Sequence, residues 1–196
     1  KEYKMAVKTM KKNTGSGQFT AGWHELTIKT AVDGTWTDKA GVNKRTVQLT
    51  FEDYPDGMNH MVFATHNKTS GEEFNIANLF RYACAGIIAV LNDPTGKDPV
   101  IQYDDEVANL VGTRVNAFFY KQKSTTDDKE YSKVFDLVPV VQETEHIIWD
   151  TDAVDRLKHS VEKRYTKQHG SVVNNTIGTV NVDTTTNVTS DAEIPF

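Results

Sequence analysis

The sequence has a single cysteine, Cys84, so it offers neither a disulfide framework nor a zinc site built from paired cysteines. It also lacks an apolar run of the roughly 18 residues that a membrane-spanning helix requires. Its first residues are polar and basic, unlike a secretory signal. We therefore expect a protein of a reducing cytoplasm that has no membrane partner.

Catalytic motifs are missing as well. The six histidines are scattered without HExxH spacing, and there is no Gly-rich phosphate loop of the P-loop kind. The run Asp104-Asp105-Glu106 could ligate a metal, but acidic runs in connections are usually only solvated. We predict that the protein is not an enzyme and has no cofactor and no metal site.

Positive charge is distributed unevenly. Residues 168–196 contain no Lys or Arg, whereas residues 1–12 contain five Lys and one Glu. The net charge of −5 argues by itself against nucleic acid. Segregated charge is nevertheless compatible with a local basic groove on an acidic protein. Ordinary scatter of charge over a soluble surface is the alternative interpretation.

Alternating apolar and polar residues predict strands in the first third of the chain. The first strand is predicted over residues 22–32, with a turn at Asp33-Gly34. The second is predicted over 44–51 and the third over 60–66, separated by a strong turn signal at 54–57. Together they form a three-stranded meander.

The spacing of apolar residues then changes to three and four. This spacing predicts a largely buried helix over 74–91. Two strands are predicted over 110–120 and 131–141, joined by a polar loop over 121–130. A second helix is predicted over 150–167, where the acidic start and basic end suit the helix dipole.

Three strands, a helix and two strands make the chain order of the OB fold. We therefore predict a mainly β protein: a five-stranded OB-fold barrel with a helix between strands 3 and 4, a C-terminal helix and a disordered acidic tail. The predicted divisions are a basic flexible arm (1–18), the OB-fold domain with its C-terminal helix (19–168) and the tail (169–196).

The chain ends on two carboxylates and a small apolar hook, formed by Asp191, Glu193, Ile194, Pro195 and Phe196. This ending resembles the acidic C-terminal tip of bacterial and phage single-stranded DNA-binding proteins, which closes on Ile-Pro-Phe. Residues 22–28, 110–112 and 135–139 are similar to strand signatures of phage OB-fold replication proteins. The similarity covers residues 18–142 in addition to the tip.

The resemblance implies sequence-independent binding and protection of single-stranded DNA during phage replication, recombination and repair, in the cytoplasm of an infected bacterial host. The tip would recruit replication proteins, such as a polymerase or a helicase–primase, with Phe196 as its anchor. A homo-oligomer is compatible with the sequence, since the second helix could pack on the barrel or form a dimer. Two alternatives stay open: a phage structural or assembly protein whose barrel binds protein, and an OB module that binds RNA or oligosaccharide.

Binding single strands without reading sequence needs cations along the phosphates and aromatic faces on which bases stack. In an OB fold these lie on strands two and three and on the loops joining strands one–two and four–five. The candidate DNA contacts are Trp36, Lys39, Lys44, Arg45, Arg114, Tyr120, Lys121, Lys123, Tyr131 and Lys133. For each ring the alternative is a packing role, which is favoured for Phe63 and Phe118, and for each Lys a solvated position. We expect affinity to fall steeply with salt.

Overall fold

The computed structural model describes residues 19–52, 59–92, 99–126 and 129–170. In chain order its elements are β1 (Gly22–Thr37), β2 (Asn43–Phe51), β3 (His60–Phe63), α1 (Asn75–Ala83), β4 (Ile87–Leu91), β5 (Val100–Tyr103), a 3₁₀ turn (Val107–Leu110), β6 (Arg114–Lys123), β7 (Glu130–Pro139), β8 (Gln142–Glu143), β9 (Ile148–Trp149) and α2 (Thr151–His169). The predicted arm, the turn over 54–57 and the tail from residue 171, with its tip, lie outside the described residues. His169, which was assigned to the tail, is the last residue of α2.

Five antiparallel strands form the main sheet in the order β3-β2-β1-β6-β7. The first three make the predicted meander, and β6 returns to pair with β1. The prediction of a mainly β protein with two helices is confirmed in this form. A closed barrel is not found among the described residues, because β3 and β7 remain the two edges of the sheet.

Strand β1 changes partner half-way along its length. Residues 22–27 pair with β6 and residues 28–37 pair with β2. The register shifts between Ile28 and Thr30, where the change occurs. Ile28 is buried, and after this bulge Ala31 packs against the core while Thr30 is exposed. The bulge therefore moves the even-numbered residues of the second half of β1, including Trp36, to the outer face.

The turn predicted at Asp33-Gly34 is wrong, because β1 continues through both residues. The chain turns after Thr37 instead. The side chain of Asp38 accepts hydrogen bonds from the backbone amides of Ala40 and Val42, each at 2.9 Å. Asp side chains in turns often accept hydrogen bonds from backbone amides that follow them in the chain. Lys39 therefore lies in the β1–β2 turn.

The helix predicted over 74–91 is wrong in its second half. Helix α1 ends at Ala83, and Cys84 takes a left-handed conformation with φ 51°. Gly86 follows with φ 61°, where a Cβ atom would overlap the backbone oxygen of Asp104. Beyond it the chain forms β4, which pairs with β5 in a hairpin. The β-branched residues of β4 suit a strand, but the helical apolar spacing continues through them.

Other boundaries differ by a few residues. The third strand ends at Phe63 rather than residue 66, and the strand predicted to start at Leu110 starts at Arg114. Leu110 is buried in the 3₁₀ turn that precedes β6. The hairpins β4–β5 and β8–β9 were not predicted, since their strands are short and lack clear alternation.

The core lies on the inner face of the main sheet, closed by α1. Its fully buried large residues include Ile28, Leu49, Phe51, Phe80, Leu110, Val115 and Phe119. The apolar phase predicted for the second strand is confirmed, since Val47, Leu49 and Phe51 are all buried. These residues bring α1 and both halves of β1 together around one cluster.

The second predicted helix is confirmed as α2. The carboxylate of Asp150 accepts a hydrogen bond from the amide of Ala153 at 2.7 Å and caps the first turn. Val154, Val161 and Tyr165 are buried on one stripe. Of the two placements left open for this helix, the structure has it packed on the sheet, mainly on β7.

Candidate nucleic-acid interface

The outer face of β1, β2 and β3 presents two aromatic rings to solvent. Trp36 on β1 is 42% exposed and meets Phe63 on β3 edge to face, with ring centroids 5.4 Å apart and planes at 81°. The rings reach each other across Gly34 and Thr46, which lie in the same cross-strand row as Phe63. Gly34 has no side chain to separate the two rings, and Thr46, which they cover, is only 4% exposed. The contact holds Trp36 in place without covering it.

The next cross-strand row extends the apolar surface. Val32 of β1, Gln48 of β2 and Met61 of β3 lie side by side. Val32 is 58% exposed, and Met61 is half-buried. We call the outer surface of these strands the β1–β3 face, defined by Val32, Trp36, Lys44, Met61 and Phe63. It is a flat apolar platform with a cation at its end.

Two of the three predicted cations at this end are less tightly engaged than the third. Lys44 lies opposite Trp36, and its Nζ is 3.8 Å from a carboxylate oxygen of Asp38. Within the described part of the chain, the exposed Lys39 has no ion-pair partner. Both side chains extend from the end of the sheet that carries Trp36.

Arg45 is already engaged. Its Nε donates to Asp33 at 3.0 and 3.2 Å, and its guanidinium also forms an ion pair with Asp105. The hydrogen bond with Asp33, followed by that with Asp105, raises the pKa of Arg45 above its usual range. Its charge is thus neutralised by two carboxylates, and a phosphate would have to displace one of them.

The predicted second loop joins β6 to β7. Nζ of Lys121 donates to the hydroxyl of Ser132 at 2.8 Å, and that hydroxyl donates to the backbone oxygen of Phe19 at 2.9 Å. Lys123 and Lys133 are exposed, and Tyr131 is 46% exposed. Lys121 thus bonds within the fold, whereas the others face outward.

Arg114 lies at the opposite end of β6 from this loop. It forms an ion pair with Glu25 of β1, with 2.6 Å between Nη1 and Oε1. Both side chains are about half exposed, so the pair adds little stability. Like Arg45, this arginine contacts a carboxylate that is distant from it along the chain.

Tyr120 takes part in packing α2 on the sheet. Its ring lies 5.7 Å from that of Tyr165 and 5.6 Å from that of His169. Phe118 contacts Tyr165 in the same cluster, and Nε1 of Trp23 donates to Glu162 at 2.7 Å. These rings cover the outer face of β6. The ring of Tyr120 therefore packs within the fold, which was the alternative to stacking on a base.

The register separates the two predicted loops. Trp36 pairs with Lys44 at the end of β1, whereas Gly22 pairs with Phe119 at its start. β1 has 16 residues, which would span roughly 50 Å if the strand were straight. The structure therefore groups Trp36, Lys39 and Lys44 at one end of β1. The exposed Lys123, Tyr131 and Lys133 form a second group beyond its other end.

A cavity of about 450 Å³ lies between the two edge strands, β3 and β7, and is flanked by α1 and α2. We call it the seam cavity, lined by His60, Met61, Val62, Phe63, Phe74, Asn75, Asn78, Leu79, Tyr82, Phe135, Asp136, Leu137, Val138, Leu157, Ser160, Val161 and Arg164. Burial lowers the pKa of His60 to about 4, although the charge of Asp136 opposes this shift. The imidazole is therefore neutral at pH 7. Asp136 forms an ion pair with Arg164 at the wall.

Most residues of the seam cavity, and Met61 of the β1–β3 face, were not among the predicted site residues. Met61 and Phe63 alternate with the buried Val62, which could have placed them together on the outer face of β3. The seam cavity left no local signal, because its lining comes from four elements distant in the chain.

Other kinds of site find no support in the described residues. No group of three or more His, Cys, Asp or Glu among them is arranged to hold a metal ion. None of their helices is both long enough and apolar enough to cross a membrane. No family model matches the chain, and no curated protein matches it at a significant level.

Proposed function

We propose that this chain is an OB-type protein that binds single-stranded DNA on the β1–β3 face without reading its sequence. The observation that carries the proposal is the half-exposed Trp36, held by Phe63 on the outer face of the meander. The chain order also supports it: three strands, a helix and two long strands, with the β4–β5 hairpin inserted after the helix. In OB folds, strands two and three carry the oligonucleotide site.

The surface suits unpaired bases better than a duplex. An exposed ring on a flat platform stacks on the face of a base, and every base has such a face. In a duplex those faces are covered by the neighbouring base pairs, so the platform has nothing to stack on. Lys39 and Lys44 lie at the end of the platform where they can meet the phosphates of a bound strand.

The proposal includes a role in the cell. The protein coats exposed DNA strands during phage DNA replication, recombination and repair in the host cytoplasm. The tip at Asp191–Phe196, which lies outside the described residues, recruits replication proteins. The resemblance of the tip and of the strand segments supports this role.

Binding by fluorescence anisotropy tests the ligand class. The full chain is titrated into labelled oligo-dT, the matching oligo-rU and a duplex of equal length. We expect oligo-dT to bind at least tenfold more tightly than the duplex. Equal or tighter duplex binding would contradict the proposal. Binding of oligo-rU alone would instead support the alternative of an RNA-binding module.

A further inference from the structure

The seam cavity has the size and walls of a site for a small planar ligand. Its volume of about 450 Å³ falls within the range of roughly 300–1,000 Å³ that is typical of small-molecule sites. Three phenylalanines, Phe63, Phe74 and Phe135, are among the residues that line it. Phe74 is 46% exposed. Flat aromatic walls favour a flat ligand.

Apart from the ion pair of Asp136 and Arg164, the polar side chains that line the cavity are neutral. Within the described residues, the amide of Asn78, the imidazole of His60 and the hydroxyl of Ser160 form no side-chain hydrogen bond. The two charged side chains of the lining, Asp136 and Arg164, neutralise each other. Ser160 is exposed and Asn78 and His60 are partly exposed, so these side chains are accessible to a ligand. A ligand that supplies both donors and acceptors can form hydrogen bonds with them.

Neutral planar rings with donors and acceptors along one edge are what nucleobases offer. An Asn amide presents one acceptor and two donors, and it pairs with base edges in many nucleic-acid sites. A carboxylate or phosphate ligand fits less well, because the described residues that line the cavity include no unpaired cation.

The cavity adjoins the β1–β3 face through Phe63. This ring meets Trp36 on the outer face and also lines the cavity. β3 is an edge strand, so a DNA strand that crosses from β1 over β2 reaches the cavity when it passes β3. Enzymes that act on a base take it out of the stack into a pocket of this kind.

We propose that the seam cavity binds one unstacked nucleobase of a DNA strand whose neighbouring bases stack on the β1–β3 face. The inference rests on the proposed function for the position of the strand. The cavity itself can be tested without that function, using single nucleotides.

The test follows the side-chain amide of Asn78 by two-dimensional NMR on the full chain. The four deoxynucleoside monophosphates and oligo-dT are added separately. We expect the Asn78 signal to shift with at least one mononucleotide and with the oligonucleotide. Ser160→Phe, which fills the cavity from an exposed position of α2, abolishes the mononucleotide shifts. Asn78→Leu weakens oligonucleotide binding about five- to tenfold.

The control is Gln102→Leu, which replaces an exposed amide on β5 outside the cavity and leaves both kinds of binding unchanged. Thermal unfolding establishes that each variant is folded. If oligo-dT binds through Trp36 but leaves the Asn78 signal and both cavity variants unaffected, the cavity inference is overturned and the proposed function stands. If mononucleotides shift Asn78 while no oligonucleotide binds, the proposed function fails, and the cavity is a site for free nucleotides rather than for a base of a DNA strand. Shifts caused only by a peptide matching residues 191–196 overturn the inference in favour of a protein ligand.

Discussion

Replacing Trp36 by alanine removes the most exposed ring of the β1–β3 face and should weaken binding of single-stranded DNA. Stacking on an aromatic side chain contributes about 1–3 kcal/mol per base. Part of the Trp36 ring is already used in its contact with Phe63, which leaves 42% of the residue exposed. We therefore expect the lower part of that range, an increase in Kd of about 5- to 30-fold.

The assay is anisotropy with labelled oligo-dT at low salt, and two further variants sharpen it. Trp36→Phe retains a ring that can stack, so its Kd should rise by less than about threefold. Val141→Ala truncates a residue of similar exposure that follows β7 and should have no effect. Loss of the edge-to-face contact costs Trp36→Ala about 0.5–1.5 kcal/mol of stability, so folding is checked at the assay temperature. A folded Trp36→Ala protein with wild-type affinity would refute stacking at this position.

Three further outcomes are expected. If only Lys39 and Lys44 meet phosphates, log Kd against log salt should have a slope of about 1.4, whereas a slope of about 2.8 would show that the two paired arginines, Arg45 and Arg114, are also recruited. Because the pKa of His60 falls to about 4 on folding, the unfolded chain binds its proton first. The free energy of unfolding should thus drop by up to about 2 kcal/mol as the pH falls from 7 to 4.5. Urea unfolding of His60→Gln should show a smaller drop, and an equal drop would contradict this. Asp150→Ala removes the α2 cap and should cost about 1 kcal/mol in the same assay, whereas an unchanged midpoint would mean that the cap contributes nothing.

The salt prediction differs from the steep dependence expected from the sequence. Ten candidate contacts were named from their positions in the chain, six of them lysines or arginines on or near the two loops. Arg45 pairs with Asp105, which is 60 residues away, and Arg114 pairs with Glu25, which is 89 residues away. Separations of this length cannot be inferred from local composition. The ion pairs reduce the charge that remains available to phosphates.

Elements with a clean pattern were predicted well. β2 alternates Val47, Leu49 and Phe51 without interruption, and α2 repeats its apolar residues at helical spacing between clear caps. The buried face of β2 is marked by an apolar residue at every second position, and that of α2 by one at every third or fourth position. The sequence alone therefore sufficed for the type and phase of these elements.

The rest depended on contacts made in the folded chain. Strict alternation from Leu26 and Ile28 would direct Trp36 into the core, and only the bulge after Ile28 turns it outward. The end of α1 depends on the close approach of Gly86 to Asp104. Tyr165 and His169 of α2 pack against the ring of Tyr120, and local spacing does not reveal a contact between such distant parts of the chain. Contacts between residues distant in the chain override the local conformational propensity in these cases.

The most direct test of base stacking on the β1–β3 face is photo-crosslinking with an oligonucleotide that carries 5-iododeoxyuridine. After irradiation of the complex with the full chain, the modified peptides are identified by mass spectrometry. We predict crosslinks to Trp36 and to Phe63, which lie together on the outer face. Crosslinks confined to Tyr131, with Trp36 and Phe63 unmodified at saturating DNA, would contradict binding at this face.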